Sequence, residues 1–205
     1  MIIFLRHGQA ENNTKKILAG RTPGINLTEE GKMQAKQAGD MLKPLNISAI
    51  YSSPIDRAMQ TAEIVGKHCD VKPILDDRLI ELDMGKFTMM PYDEIFASHG
   101  NVFLKFYEGS LEISHNGVES FAEVQKRVFD IVDFIKNEHK GENVVLVTHM
   151  DPIKAMIGKV LSLKPEILFQ LIIANASLNI FKYDDQNLYL SSINSMNSSR
   201  FHETF

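Results

Sequence analysis

Hydrophobic positions along the chain fall into short continuous runs separated by stretches of helical period. "IIFL" (2–5) and "AIYSS" (49–53) are brief β-rich runs, and "NVVLVTH" (143–149) is the strongest, uninterrupted as in a strand covered on both faces. "VKPIL" (71–75) is weaker, because Pro73 predicts an edge or a bend. "LNIFKYD" and "LYLSSI" alternate near the C-terminus, and "DDQN" between them reads as a hairpin turn.

Between these runs lie amphipathic segments with recognisable starts. Thr28 is placed to cap a helix running to about Leu42, with Glu29 and Glu30 in its first turn. Ser53-Pro54 reads as N-cap and first residue of a helix toward His68, and Asp151-Pro152 reads the same way. Ser120 and Glu123 form a capping-box pattern ahead of Val124, Val128, Ile131 and Ile135 on one face. Strand-helix alternation predicts an α/β fold: a three-layer sandwich with a mixed, mostly parallel sheet of about six strands and helices on both faces. The expectation is a single domain over 1–205, its Ser/Asn-rich tail beginning in the last strand and fraying at its end.

Composition narrows the function classes. With 205 residues, 44% apolar and 23% charged, the chain suits one soluble domain with a sizeable core. A net charge of -4 without a basic run argues against nucleic acid as a partner, but leaves room for a pocket of a few arginines around a small anion. The single cysteine, Cys69, excludes an intrachain disulfide and fits a reducing compartment. No run approaches membrane-spanning length and the N-terminus lacks a signal-peptide pattern, so the expected setting is cytoplasmic. "HCD" (68–70) lacks the usual metal-ligand spacings, and no metal is expected.

Three strands end in residues with chemistry. "IIFLRHG" delivers Arg6 and His7, "AIYSSPIDRAMQTA" puts Arg57 in a first helical turn, and "NVVLVTHMDP" ends in His149 before a helix. Ligands of open α/β sheets bind beyond the carboxyl ends of strands, facing helix N-termini. Two guanidiniums and two imidazoles meeting there would suit a phosphoryl dianion, which arginine grips in a planar fork. A neutral imidazole can also act as nucleophile, and Glu81, behind apolar Leu79 and Ile80, is the candidate acid for a leaving oxygen. Each residue alone has a plainer reading as a rim cation, a core histidine or a surface carboxylate. It is their combination that points to phosphoryl transfer.

Taken together, these blocks resemble the histidine phosphatase superfamily, the phosphoglycerate-mutase-like proteins. "LRHGQAENN" is similar to the family's Arg-His-Gly signature; Asn13 and Gly20 fall at the expected spacing. "YSSPIDRAMQTAEIV", "RLIELDMGKF", "VESFAEVQKRV" and "VVLVTHM" resemble its later blocks, in family order, from residue 3 to about 185. The resemblance implies that His7 becomes phosphohistidine and that Arg6, Arg57, His149 and Asn13 hold the phosphoryl oxygens. It gives Glu81 the part of acid and then base, and requires no cofactor. Gln9, Arg21 and the Met150 backbone N–H are further phosphate contacts to consider.

Departures from the family pattern concern the rim. Met150 stands where Gly is usual, and Thr88 and Met89 suggest a more apolar entrance. The acid is followed by Leu82-Asp83-Met84 rather than the mutases' Arg, and residues 86–118, expected to be a substrate-selecting lid, contain no arginine. The expectation is therefore a metal-independent phosphatase acting on a small phosphorylated metabolite. A mutase dependent on 2,3-bisphosphoglycerate is the alternative, with Arg21 or Lys105 serving a carboxylate; a silent phospho-ligand-binding domain stands behind it. The sequence leaves monomer or homodimer open.

Overall fold

The computed structural model describes residues 1–184 and 187–196. Among the described residues six strands form one sheet: β1 (Ile2–Arg6), β2 (Ile47–Ser52), β3 (Ile74–Leu75), β4 (Asn143–Thr148), β5 (Leu178–Tyr183) and β6 (Leu188–Ser195). Their order is β3-β2-β4-β1-β5-β6. The first four are parallel to one another; β5 is antiparallel to β1, and β6 to β5. The sheet is thus mixed, as expected, and the segment with Pro73 gives only a two-residue edge strand. Of the "DDQN" turn, Asp185 and Gln186 lie outside the described residues; the flanking Asp184 amide donates to the Asn187 carbonyl at 3.1 Å. The end of the tail, expected to fray, also lies outside them.

The helices are α1 (Glu11–Thr14), α2 (Glu29–Leu42), α3 (Asp56–Cys69), α4 (Tyr92–His99), α5 (Val102–Tyr107), α6 (Leu111–Ser114), α7 (Phe121–Glu138), α8 (Met150–Val160) and α9 (Pro165–Gln170). Alternation along the central strands sorts them into two layers. Ile2, Phe4, Val144 and Leu146 pack with Val128 and Ile131 of α7 and Ile153 and Ile157 of α8. Ile3, Leu5, Val145 and Val147 face the other way, onto Ala38 and Leu42 of α2 and Ala58, Ala62 and Val65 of α3. Both faces are buried, which is why β1 and β4 read as continuous apolar runs rather than alternating ones.

Two helix starts match their local signals. Thr28 Oγ1 accepts from the Gly31 amide at 3.0 Å, and Ser120 and Glu123 exchange hydrogen bonds at 3.2 and 2.8 Å. Two others are corrected. The N-cap of α3 is Ile55, not Ser53, because Ser53 Oγ is engaged with His149 at 2.8 Å as well as accepting from the Ile55 amide. The N-cap of α8 is His149, not Asp151, whose carboxylate instead accepts from the Tyr107 hydroxyl at 2.5 Å. Among the described residues no helix is long and apolar enough to cross a membrane.

The loop leaving β1 crosses the start of α2 with backbone against backbone. A Cβ on Gly31 would stand 1.9 Å from the Gln9 carbonyl oxygen, and one on Gly8 would stand 2.4 Å from the Gly31 oxygen. Neither obstacle is a movable side-chain end. Gly31→Ala is therefore expected to lower unfolding stability by about 1–3 kcal/mol through overpacking, read as a lower urea midpoint; a change below about 0.5 kcal/mol, typical of a neutral surface site, would show that this crossing is loose.

Candidate active site

The parallel pairing of β1 with β4 sets Arg6 beside Thr148, and the His7 amide donates to the Thr148 carbonyl at 2.9 Å. One residue further, His7 and His149 leave the sheet side by side, with ring centroids 5.1 Å apart and planes at 61°. From the next strand over, the Ser53 amide donates to the Val147 carbonyl, and α3 brings back Arg57. Its Nε–H donates to His7 Nε2 at 3.2 Å, and its Nη2 donates to the Gly20 carbonyl at 2.8 Å. Thr61, one turn on, accepts from the Gly8 amide at 3.1 Å and ties the loop to the helix.

The result is a narrow cavity of about 40 Å³ lined by Arg6, His7, Asn13, Arg57 and Glu81. Its roof is Tyr92, Phe103 and Met150. At roughly 10–15 Å³ per water-sized sphere, it has room for a group no larger than a phosphoryl. His7 and Arg57 are each 2% exposed. Among the described residues Arg6 Nε and Arg57 Nη1 are buried with no partner, and both belong to cavity-lining residues. The remaining Arg6 contact is from Nη1 to the Ile173 carbonyl. Asn13 Oδ1 accepts from the Ala10 amide at 2.9 Å, which leaves its amide NH₂ as the donor end.

Burial decides the protonation of the imidazoles. His7 is held well below the usual histidine range, first by desolvation and then by Arg57 and Arg6; its bond to the Gly8 carbonyl opposes the shift. His149 is lowered for the same first reason, reinforced by Arg57, His7 and Arg6. A neutral His7 ring has one N–H. The Gly8 carbonyl lies 2.7 Å from Nδ1 and can only accept, so the proton sits on Nδ1 and the lone pair on Nε2. Glu81 is pushed the other way, up to about 7, by burial and by Asp151, with Arg57 and Arg6 opposing. The site therefore pairs an unprotonated base with a protonatable acid near neutral pH.

The family model described as the histidine phosphatase superfamily (branch 1) matches residues 2–196. The chain belongs to this superfamily. It is 28% identical over 196 residues to phosphoserine phosphatase 1 of Hydrogenobacter thermophilus, covering 94% of this chain and 91% of that one. It is 36% identical over 180 residues to a 2,3-bisphosphoglycerate-dependent phosphoglycerate mutase of Thermoplasma acidophilum, covering 87% and 84%. A solved phosphoserine phosphatase of Entamoeba histolytica, a variant in complex with phosphoserine, superposes with a TM-score of 0.83 at 25% identity, over 95% of this chain and 96% of that one.

In this histidine phosphatase some sequence candidates are placed differently from expectation. Gln9 does not line the cavity: its Oε1 accepts from Thr28 Oγ1 at 2.8 Å. Arg21 lies behind the acid, donating to the Glu81 carbonyl at 2.9 Å and to Glu119 at 2.9 Å, so it braces Glu81 rather than facing a phosphate. His149 packs against His7 without lining the cavity; among the described residues its buried Nδ1 has no partner. Met150 lines the cavity, but Thr88 and Met89 do not, and the apolar rim comes from Tyr92 and Phe103 instead. Tyr92 and Asp151 are the residues that sequence reasoning missed. Asp151, two residues after His149, carries the local pattern of a cap, and nothing local marks Tyr92.

Glu81 also links the site to stability. Its folded pKa lies above the unfolded value, so the native state holds its proton more tightly. That contribution is complete below about pH 4.5 and is lost as pH rises to about 7. The full shift would be worth about 3 kcal/mol, and partial exposure lowers this to roughly 1–3 kcal/mol. Urea unfolding at pH 5 and pH 8 should show the wild type losing stability relative to Glu81→Gln as pH rises, the comparison being between the two proteins because the buried neutral His7 and His149 favour both at pH 8; an unchanged difference would mean that Glu81 titrates normally.

Proposed function

We propose that the protein hydrolyses a small phosphomonoester through a phosphohistidine on His7. The observation that carries the reading is the His7 ring itself, with Nδ1–H committed to Gly8 and the Nε2 lone pair beside Arg57 in an arginine-walled cavity. An arriving phosphoryl group draws the Arg57 and Arg6 N–H groups onto its oxygens and frees Nε2. The Asn13 amide and the Met150 N–H at the start of α8 are the further donors. Nε2 attacks phosphorus, the P–O bond to the alcohol breaks, and the electron pair leaves on the alcohol oxygen, which takes the Glu81 proton. Water then attacks phosphorus while the Glu81 carboxylate accepts its proton. The P–N bond breaks, the lone pair returns to Nε2, and inorganic phosphate leaves. The guanidiniums supply the positive charge that spreads over the transferring oxygens, so the scheme needs no metal.

The relatives act as phosphatase in one case and mutase in another, and the Thermoplasma relative is the observation that favours the second reading. A phosphoglycerate mutase must also hold a carboxylate. The two cations offered by the sequence are otherwise engaged: Arg21 as above, and Lys105 with Glu112 at 2.9 Å on the surface. We read residues 86–118 as the substrate-selecting wall, since α4 and α5 supply Tyr92 and Phe103 to the cavity. A small phosphorylated metabolite and a cytoplasmic setting complete the proposal.

Two variants test the roles with chelator present. His7→Ala should abolish release of phosphate from p-nitrophenyl phosphate while its circular dichroism stays that of the wild type; retained turnover would exclude His7 as the nucleophile. In single turnovers, Glu81→Gln should slow phosphoryl transfer from alkyl phosphates to His7 roughly 10²–10⁴-fold and the p-nitrophenol burst from p-nitrophenyl phosphate far less, because only the poor leaving group needs the proton. Equal losses on both would count against an acid role.

A further inference from the structure

A second cavity, of about 480 Å³, adjoins the phosphate site. Tyr92, Phe103 and Met150 line both, so the two share a wall. Beyond that wall the lining is Phe96, Phe169, Leu171 and Ile172, together with Tyr107 and one charged side chain, Lys154. The volume suits a small organic molecule, and aromatic walls favour a ring over a polar chain.

Lys154 is unusual in this setting. The residue is 4% exposed, and its Nζ lies 5.1 Å from the centroid of the Tyr107 ring. Among the described residues it has no hydrogen-bond or ion-pair partner. The acid on the same helix, Asp151, is taken by the Tyr107 hydroxyl and acts on Lys154 only at longer range. Burying an ammonium without a partner is costly, and an anion delivered to it inside an apolar groove gains a charge-assisted bond in a low-dielectric setting. One ammonium matches a monoanion; a second phosphate would need more donors than the groove holds.

We infer that the groove receives the leaving-group half of the substrate, and that this half is a hydroxylated aromatic or alicyclic carboxylic acid. Its hydroxyl carries the phosphate, its ring fills the space between Phe103 and Phe169, and its carboxylate meets Lys154. This rests on the phosphatase reading above and adds the class of ester. It also makes Lys154, six side chains into the turn and helix that His149 begins, a specificity residue that the sequence reading passed over.

The test compares phenyl phosphate with 3- and 4-carboxyphenyl phosphate on the wild type, Lys154→Met and Lys154→Arg. Because the carboxylate also changes the leaving group, the readout is the preference ratio in kcat/KM relative to the same ratio in Lys154→Met. For at least one isomer the wild-type preference should exceed the variant's about tenfold or more, mainly through KM, as a hydrogen bond to a charged group predicts. Phenyl phosphate turnover should stay within about twofold in Lys154→Met, and Lys154→Arg should restore most of the preference. An unchanged ratio for both isomers, or equal loss on all three esters in the variant, overturns the assignment while leaving the phosphatase reading standing. No turnover of phenyl phosphate by the wild type overturns both.

Discussion

The parallel register of β1 against β4 decides where the histidines leave the sheet. Because Arg6 pairs with Thr148, the residues that follow each strand, His7 and His149, emerge together although 142 positions separate them. A slip of one residue would reverse every side chain across the sheet and send the apolar set of one layer into the other. Both faces of these strands are fully buried, so such a slip would be opposed by two cores at once. The site is therefore as rigid as the sheet's centre, and the Gly8–Gly31 crossing keeps the loop that carries His7 from lifting away.

On this frame the chemistry follows from the burial of charge. Burial, reinforced by the two guanidiniums, drives both rings neutral, and the same lack of solvent holds a proton on Glu81 up to about 7. One environment thus prepares a base and an acid by opposite shifts of cationic and anionic groups. The neutral His7 is oriented by the Gly8 carbonyl, and among the described residues Arg6 Nε and Arg57 Nη1 have no partner. Arg21 and Arg127 hold the segment around Glu81 from behind, through the carbonyls of Glu81 and Ile80 and through Glu119.

The parts of this arrangement that depend on local pattern were legible in the sequence. Continuous apolar runs gave β1 and β4, the Thr28 and Ser120 caps gave the starts of α2 and α7, and strand ends gave Arg6, His7, Arg57 and His149. What failed were residues whose side chains serve a distant partner instead of their own backbone. Ser53 has the pattern of a cap and shares its hydroxyl between the Ile55 amide and His149; Asp151 has the pattern of a cap and holds Tyr107. Arg21 and Gln9 were near the site in sequence, yet their partners turn them from it. Tyr92 and Lys154 lie on α4 and α8, and only the packing of those helices brings them to the cavities.

The proposed mechanism turns on a phosphoryl group held covalently on one nitrogen of one ring. Phosphoenzyme trapped from Glu81→Gln with p-nitrophenyl phosphate, where slow water attack lets the intermediate accumulate, gives the most direct measurement. Peptide mass spectrometry of the alkali-quenched protein, with ¹⁵N–³¹P coupling to identify the nitrogen, should place the phosphoryl group on His7 Nε2. A phosphoryl group on His149, on Nδ1 of His7, or on no histidine while turnover continues would contradict the account.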